Sequence, residues 1–368
     1  MDAMSSRAPR TLLAETGTQL AAYEVDDDFA ANELFQRNGW TDGLPIVAPT
    51  PDRVAPFLDA AGLAMDDIVD TEPVRQRTIT AGKIAINGVM AGCLPSCMPV
   101  LVAIVHALCA PEYSLHGASS STGGSAPFIV VNGPIRAQLG MEARHSVFAS
   151  ANRANASIGR AIHLILMNVL GTVPGQLDRS TLGHPGKVTF CIAEDEEDSP
   201  WVPLAQERGV AAGVSAVTVM ASESPHQILN EWTQDPRELL ETAAAAIRAN
   251  MLTYSIWAGN YALVLPKQPR EVLVAAGWRK QDVRDYLFES ARVARRQWRE
   301  VGKAPIAARG DEGRIHTALR SPDDLLVVAA GGPAGGFAGI VPPWFGSKSL
   351  AVTRAIEARR EMGCQSRC

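Results

Sequence analysis

Seven short stretches of the chain are almost unbroken in apolar residues: LPIVAP, GKIAING, PFIVVNG, KVTFCIA, SAVTVMA, YALVLP and DLLVVAAGG. A strand with one wet face alternates apolar and polar side chains. Continuous runs instead predict strands buried on both faces. Helical patterns lie between them. PTPDRVAPFLDAAG places Thr50 as N-cap, Pro51 at the first helical position and Gly62 at the stop. QDPRELLETAAAAIRANM repeats the device with Asp235 and Pro236. WRKQDVRDYLFESARVARRQW carries its charges on one side and predicts a single long amphipathic helix.

This alternation predicts an α/β fold, a parallel or mixed sheet with helices on both faces. No fixed-period repeat and no low-complexity linker interrupts it. The polar, proline-containing stretch from Ser222 to Asp235 is the best candidate seam. It would divide an N-terminal α/β catalytic region, 1–222, from a C-terminal α/β region, 223–368. A single domain suits the pattern nearly as well.

Composition narrows the function. The chain has 368 residues, 46% hydrophobic and 20% charged, with a formal net charge of −5. Its basic residues are dispersed, which argues against nucleic acid as a partner. The N-terminal stretch, broken by Arg7, Arg10 and Glu15, lacks the apolar core of a signal peptide, and the uncharged run VLVAIVHALCA is too short to span a bilayer. The expectation is a cytoplasmic protein with no membrane partner, acting on a small-molecule substrate as a homo-oligomer. Six cysteines are too few to staple a chain of this length, so they are expected as thiols. Cys364 and Cys368 fall in the polar tail EMGCQSRC.

In open α/β sheets, sites form in loops at the carboxyl ends of strands. Five loops qualify. In NGVMAGCLPSCMPVLVAIVHALC, proline is comfortable only in a helix's first turn, so Pro95 and Pro99 together predict a start near Pro99. Cys93 and Cys97 then lie in a lead-in facing the positive end of the helix, which favours a thiolate. Gly92 leaves room for a ligand, making Cys93 the leading nucleophile. Cys93, Cys97, His106 and Cys109 could instead ligate zinc, but the spacing is loose and no metal is assigned. His106, set among apolar residues, reads as a core histidine.

The second loop, YSLHGASSSTGGSAPFIVVNGP, offers Ser121 and Thr122 to cradle an anion, His116 as acid or base, and Asn132 past its strand. It is not a phosphate-binding P-loop, because the Gly-Lys-Ser/Thr element is missing. In the third, Asn152, Arg153 and Asn155 surround a helix start and predict an anion site or a buried polar network, with Arg160 on the same face as Arg153. The fourth places Glu194, Asp195, Glu196, Glu197 and Asp198 after a strand. Glu194, nearest the strand, is the candidate general base, with Glu196 behind it. The fifth, GGPAGGFAG, lacks the dinucleotide fingerprint and reads as a flexible loop over the site.

Together these residues predict an enzyme with a reactive cysteine. Cys93 attacks a carbonyl, nitrile or other electrophile, or takes part in thiol–disulfide exchange. Arg153, with Asn152 and Asn155, orients an anionic group, and Glu194 or His116 moves protons. Two other readings remain open: a divalent-metal-dependent hydrolase or lyase built on the acidic loop, and a non-catalytic subunit of a larger complex, docking through the charged helix from Arg279 to Arg299 and through Trp278, Trp298 and Trp344. The sequence names no cofactor.

Overall fold

In a computed structural model, which describes residues 10–16, 19–149 and 152–357, the chain opens with an antiparallel hairpin of β1 (Arg10–Thr16) and β2 (Gln19–Val25). Helices α1 (Asp28–Arg37) and α2 (Pro51–Ala61) follow, then a ribbon of β3 (Ile68–Thr71) and β4 (Thr78–Thr80). Thr50 precedes α2, Pro51 opens it, and Gly62 closes it in the left-handed conformation that glycine adopts without strain. Next come α3 (Ala81–Met90), α4 (Met98–Cys109), α5 (Leu115–Ser120), β5 (Ala126–Asn132), α6 (Ile135–Gln138), α7 (Arg153–Asn168), β6 (Cys191–Ala193), α8 (Leu204–Glu207), β7 (Ala216–Ser222) and β8 (His226–Leu229). The remainder is α9 (Pro236–Thr253), β9 (Tyr261–Leu265), α10 (Lys267–Ala275), α11 (Lys280–Ser290), β10 (Arg292–Ala294), the single-turn helices α12 (Gln297–Glu300) and α13 (Ala304–Ala307), β11 (Ile315–Thr317), β12 (Leu325–Ala329), β13 (Phe337–Val341) and β14 (Val352–Ala355).

The fold is α/β, with two mixed four-stranded sheets in the orders β14-β7-β5-β6 and β12-β9-β13-β8. Alternation along the strands shows how they are stacked. Phe128 and Val130 of β5 share one core with Ala262 and Val264 of β9 and with Leu326 and Val328 of β12. Their neighbours turn the other way: Ile129 and Val131 pack on α4 and α7, while Leu263, Leu265 and Val327 pack on α9 and α11. The layers therefore run helix, sheet, sheet, helix. The strands are apolar throughout, as expected, but the second face of each sheet is covered by the other sheet and not by helices.

The two sheets are built alike. Each has a central strand paired parallel to one neighbour (β5 with β6, β9 with β12) and antiparallel to the other (β7, β13). The fourth strand of each is antiparallel to that neighbour and is exchanged: β8 follows β7 but joins the sheet of β13, and β14 follows β13 but joins β7. Matching positions meet where the halves touch. Ser222 bridges Pro343, the N–H of Trp344 donates to Ala221 O at 3.0 Å, and the N–H of Glu223 donates to Pro342 O at 3.0 Å. These reciprocal contacts mark a pseudo-two-fold axis. The stretch from Ser222 to Asp235 thus holds a strand entering the second sheet, while β14 carries residues 352–355 back into the first.

Several local expectations change. GKIAING is helix α3, capped by the Thr80 side chain and buried along its whole length; a short apolar run buried all round has no periodicity to separate helix from strand. LPIVAP forms no strand; its backbone is held by single bonds such as Val47 N–H to Met90 O. Only Cys191–Ala193 of KVTFCIA is extended. The long charged helix stops at Ser290, and Arg292–Ala294 is a strand paired with β11. The glycine-rich GGPAGGFAG is a turn feeding β13. No single helix among the described residues is long and apolar enough to cross a membrane. Cys364 and Cys368 lie outside the described residues.

Candidate functional site

The lead-in to α4 is tighter than the prolines alone suggest. Residues Pro95–Cys97 form a 3-10 turn that runs directly into α4 at Met98, so Cys97 is the residue capping the helix and Pro99 sits in its first turn. Gly92 takes φ +84°, and the space where a β-carbon would stand is open. The chain can therefore reverse at Gly92 and leave Cys93 in the wall of a cavity of about 240 Å³. Val47, Arg53, Phe57 and Val89 line it together with Arg153. Arg153 opens α7, and its Nε donates to Gly92 O at 2.9 Å, fixing the guanidinium beside the turn. Among the described residues it has no carboxylate partner.

Cys93 and Cys97 are both buried, and they titrate as a pair. The Cys93 S–H donates to the Cys97 sulfur; that bond first, and burial second, pushes the Cys93 thiol well up. The same bond pulls Cys97 down against the opposing effect of burial, helped by the Leu94 N–H and by the charge of Arg153. Both shifts run in one sense: they disfavour a thiolate at Cys93, where the sequence led to one being expected, and favour one at Cys97, at the end of α4 where peptide dipoles support negative charge. A second hydroxyl completes the cluster. Ser157 of α7 is buried, has no nitrogen or oxygen partner among the described residues, and neighbours the Cys93 sulfur, which it stabilises when ionised.

The other sequence candidates lie elsewhere. Glu194 is 1% exposed and holds four partners: Asn132 Nδ2 at 2.7 Å, the Leu204 N–H at 2.7 Å, Lys280 Nζ at 3.0 Å and the Ala329 N–H at 3.4 Å. A carboxylate so fully engaged between two halves is a structural anchor, and none of its partners lines the cysteine cavity. Asn132 also donates to Glu196 at 2.8 Å, leaving its own Oδ1 without a partner. The rest of the acidic run is paired as well: Glu196 and Glu197 with Arg136, Asp195 with Arg144 and Asp198 with Lys267. Among the described residues, no three His, Cys, Asp or Glu side chains converge to hold a metal ion.

Asn152 caps α7 by accepting from the Ala154 and Asn155 N–H groups, and its amide donates to Gly140 O. Asn155 is buried and ties the Glu142 backbone to the helix through both its N–H and C=O. Of these two asparagines Asn155 is buried and Asn152 half-buried, and Arg160, paired with Asp42, bonds to neither and does not line the cavity. His116, Ser121 and Thr122 form a third location. The Ser121 hydroxyl accepts from Trp344 Nε1 at 2.8 Å, Thr122 O accepts from the Thr181 N–H, and His116 Nδ1 is buried without a partner among the described residues.

Of the predicted residues, then, Cys93 and Arg153 are brought together. Cys97 and Ser157 join them. Cys97 was legible only as part of the lead-in to the helix, whereas Ser157 carries no signal beyond its place one turn after Arg153. No protein-family model matches the chain, and no curated protein is significantly similar to it.

Proposed function

We propose that this chain is a thiol enzyme whose working group is the Cys93–Cys97 pair, acting on a small anionic disulfide. What carries the reading is a cavity-lining thiol four residues before a second thiol at a helix cap, beside a guanidinium with no carboxylate partner among the described residues. Cysteine nucleophiles that add to carbonyl or nitrile carbon need an imidazole or carboxylate beside the sulfur to shuttle protons. Here the partner is sulfur, which suits exchange chemistry.

In the first step Cys93 hands its proton to Cys97 and attacks one sulfur of the substrate; the substrate S–S bond breaks and the first thiolate leaves. Cys97 then loses that proton to the leaving thiolate and attacks the mixed disulfide. The Cys93–Cys97 bond forms and the second thiolate departs. Two electrons have passed from the pair to the substrate, and an external dithiol returns them by the reverse exchange. Arg153 binds the substrate's anionic group, and Ser157 supports the Cys93 thiolate in transit.

The test uses the full chain. Oxidised glutathione, which is anionic, should convert the protein to a form lacking two hydrogens, with the new bond mapped between Cys93 and Cys97 by peptide mass spectrometry. Cystamine, a cationic disulfide, should do so more slowly, and Arg153→Gln should erase the difference. If no Cys93–Cys97 bond forms, or if Cys93→Ser is oxidised as fast as the parent, the reading fails.

A further inference from the structure

A second cavity lies along a different stripe of α4 and owes nothing to the cysteine pair. Its volume is about 750 Å³, within the range that takes a small organic ligand. Pro99, Val102, Ala103 and His106 contribute one wall, the i, i+3, i+4 and i+7 positions that share a helix face. Leu101, Ile104 and Leu108, on the buried face of the same helix, are packed in the core. The opposite wall comes from the end of α2, from β3 and from β14.

The polar groups on its wall are Asp70, His106, Arg354 and Glu357. His106 Nδ1 stands 2.9 Å from Asp70 Oδ2. An ionised carboxylate can only accept, so in the neutral ring Nδ1 carries the hydrogen, and Nε2 has no partner among the described residues. Asp70 thereby fixes both the tautomer and the plane of the ring. The His106 side chain is 42% exposed, so the core placement expected from its apolar neighbours is corrected. Arg354 lines the same cavity, and its only hydrogen-bond partner among the described residues is the Thr353 carbonyl. Cys109 is also present, its thiol pushed up to about 12 by burial and by the charges of Asp70 and Glu72, so it is protonated wall. The lining therefore offers one oriented acceptor and one cation with no carboxylate partner among the described residues, with the Glu357 carboxylate also on the wall and apolar side chains between.

We propose that this cavity binds a small molecule with an apolar ring or chain ending in one acidic O–H group, which passes its proton to His106 Nε2 and is held as an oxyanion that accepts from that N–H and faces Arg354. A phenol and a fatty acid reach the same bound state, the fatty acid arriving as its carboxylate with the Nε2 proton drawn from solvent, and the probes distinguish them.

The experiment titrates the full chain with 4-nitrophenol, with its methyl ether 4-nitroanisole, and with decanoate, by equilibrium dialysis. At least one of the two acidic probes should bind saturably at one per chain. 4-Nitroanisole should bind about tenfold more weakly than 4-nitrophenol if the phenol is the ligand class, the effect of one lost hydrogen bond to a dyad-supported acceptor. Decanoate binding alone assigns the chain-bearing acid. His106→Asn, at a half-exposed position that leaves the fold intact, should remove the acidic probe's advantage without touching 4-nitroanisole. Val102→Trp should abolish binding of every probe by filling the slot, with the thermal midpoint as the check on folding. The proposal is overturned if neither acid binds saturably, if His106→Asn leaves the bound acid's affinity unchanged, or if a folded Val102→Trp protein binds as the parent does.

Discussion

Lys280 Nζ lies 3.0 Å from Glu194 Oε1, and the two side chains are only 3% and 1% exposed. The pair joins the carboxyl end of β6 in one half of the molecule to the start of α11 in the other. A charge taken this far from water needs its partner, and removing one member strands the other. Lys280→Met should lower stability by about 3–5 kcal/mol in urea unfolding. The double variant with Glu194→Gln should recover most of that loss, since a glutamine oxygen at the Oε2 position still accepts from the Leu204 N–H and the Asn132 amide. A neutral Lys280→Met would show that the halves are held by their apolar core alone.

The thiol pair makes a kinetic prediction. Because the Cys93 S–H is the largest influence lowering Cys97, Cys93→Ala should raise the pH at which Cys97 alkylation by iodoacetamide reaches half its maximal rate. The sign follows from which form reacts: the thiolate is the nucleophile, and losing its hydrogen-bond donor makes it harder to form. Ser157→Ala should shift the pair less, since that hydroxyl opposes only part of the rise at Cys93. Alkylation profiles that coincide for the parent and Cys93→Ala would sink the hydrogen-bonded pair.

How much of this was legible beforehand divides along physical lines. Caps and stops are local, so Thr50, Pro51, Gly62, Asp235 and Asn152 could be placed from sequence. Continuous apolar strands correctly implied burial on both faces, but whether helices or a second sheet supplies the cover is a long-range matter that no local pattern encodes. Glu194 read as a base because a carboxylate after a strand looks available; its partners come from residues up to 135 positions away, which sequence spacing cannot reveal. Cys93 and Arg153 do meet, since each was located by local chain geometry, a glycine turn and a helix start. The strand exchange between β8 and β14 left no trace in residue type at all.

α7 carries both Arg153 and Ser157, and Gly159 seats it against the strand behind. A β-carbon at Gly159 would stand 2.2 Å from Thr189 Oγ1 and 2.9 Å from the Phe190 nitrogen, the latter a backbone atom that cannot swing aside. On an exposed helix, alanine in place of glycine is a gain of about 1 kcal/mol. Here overpacking should reverse the sign, and Gly159→Ala should cost about 1–3 kcal/mol in urea unfolding. Displacing α7 should also weaken the discrimination between anionic and cationic disulfides. A stabilised Gly159→Ala protein would mean that this contact yields.

Arg160 tests the pH dependence of the same helix. Its Nε and Nη2 donate to the two oxygens of Asp42 at 2.9 and 2.8 Å, tying α7 to the loop before α2. Burial alone would raise the Asp42 carboxyl; the bonds from Arg160, its charge and the Leu44 N–H outweigh burial and hold it below the ordinary carboxylate range. A group whose pKa is lower folded than unfolded stabilises the fold above its unfolded value, and that contribution is lost as the pH falls through the folded value. Asp42→Asn should therefore be less stable than the parent at neutral pH. The gap should close as the pH is taken below about 4, where the unfolded carboxylate itself protonates. Urea unfolding of both proteins across that window measures it, and a gap that stays constant into acid would mean that Asp42 supports the loop through its shape rather than its charge.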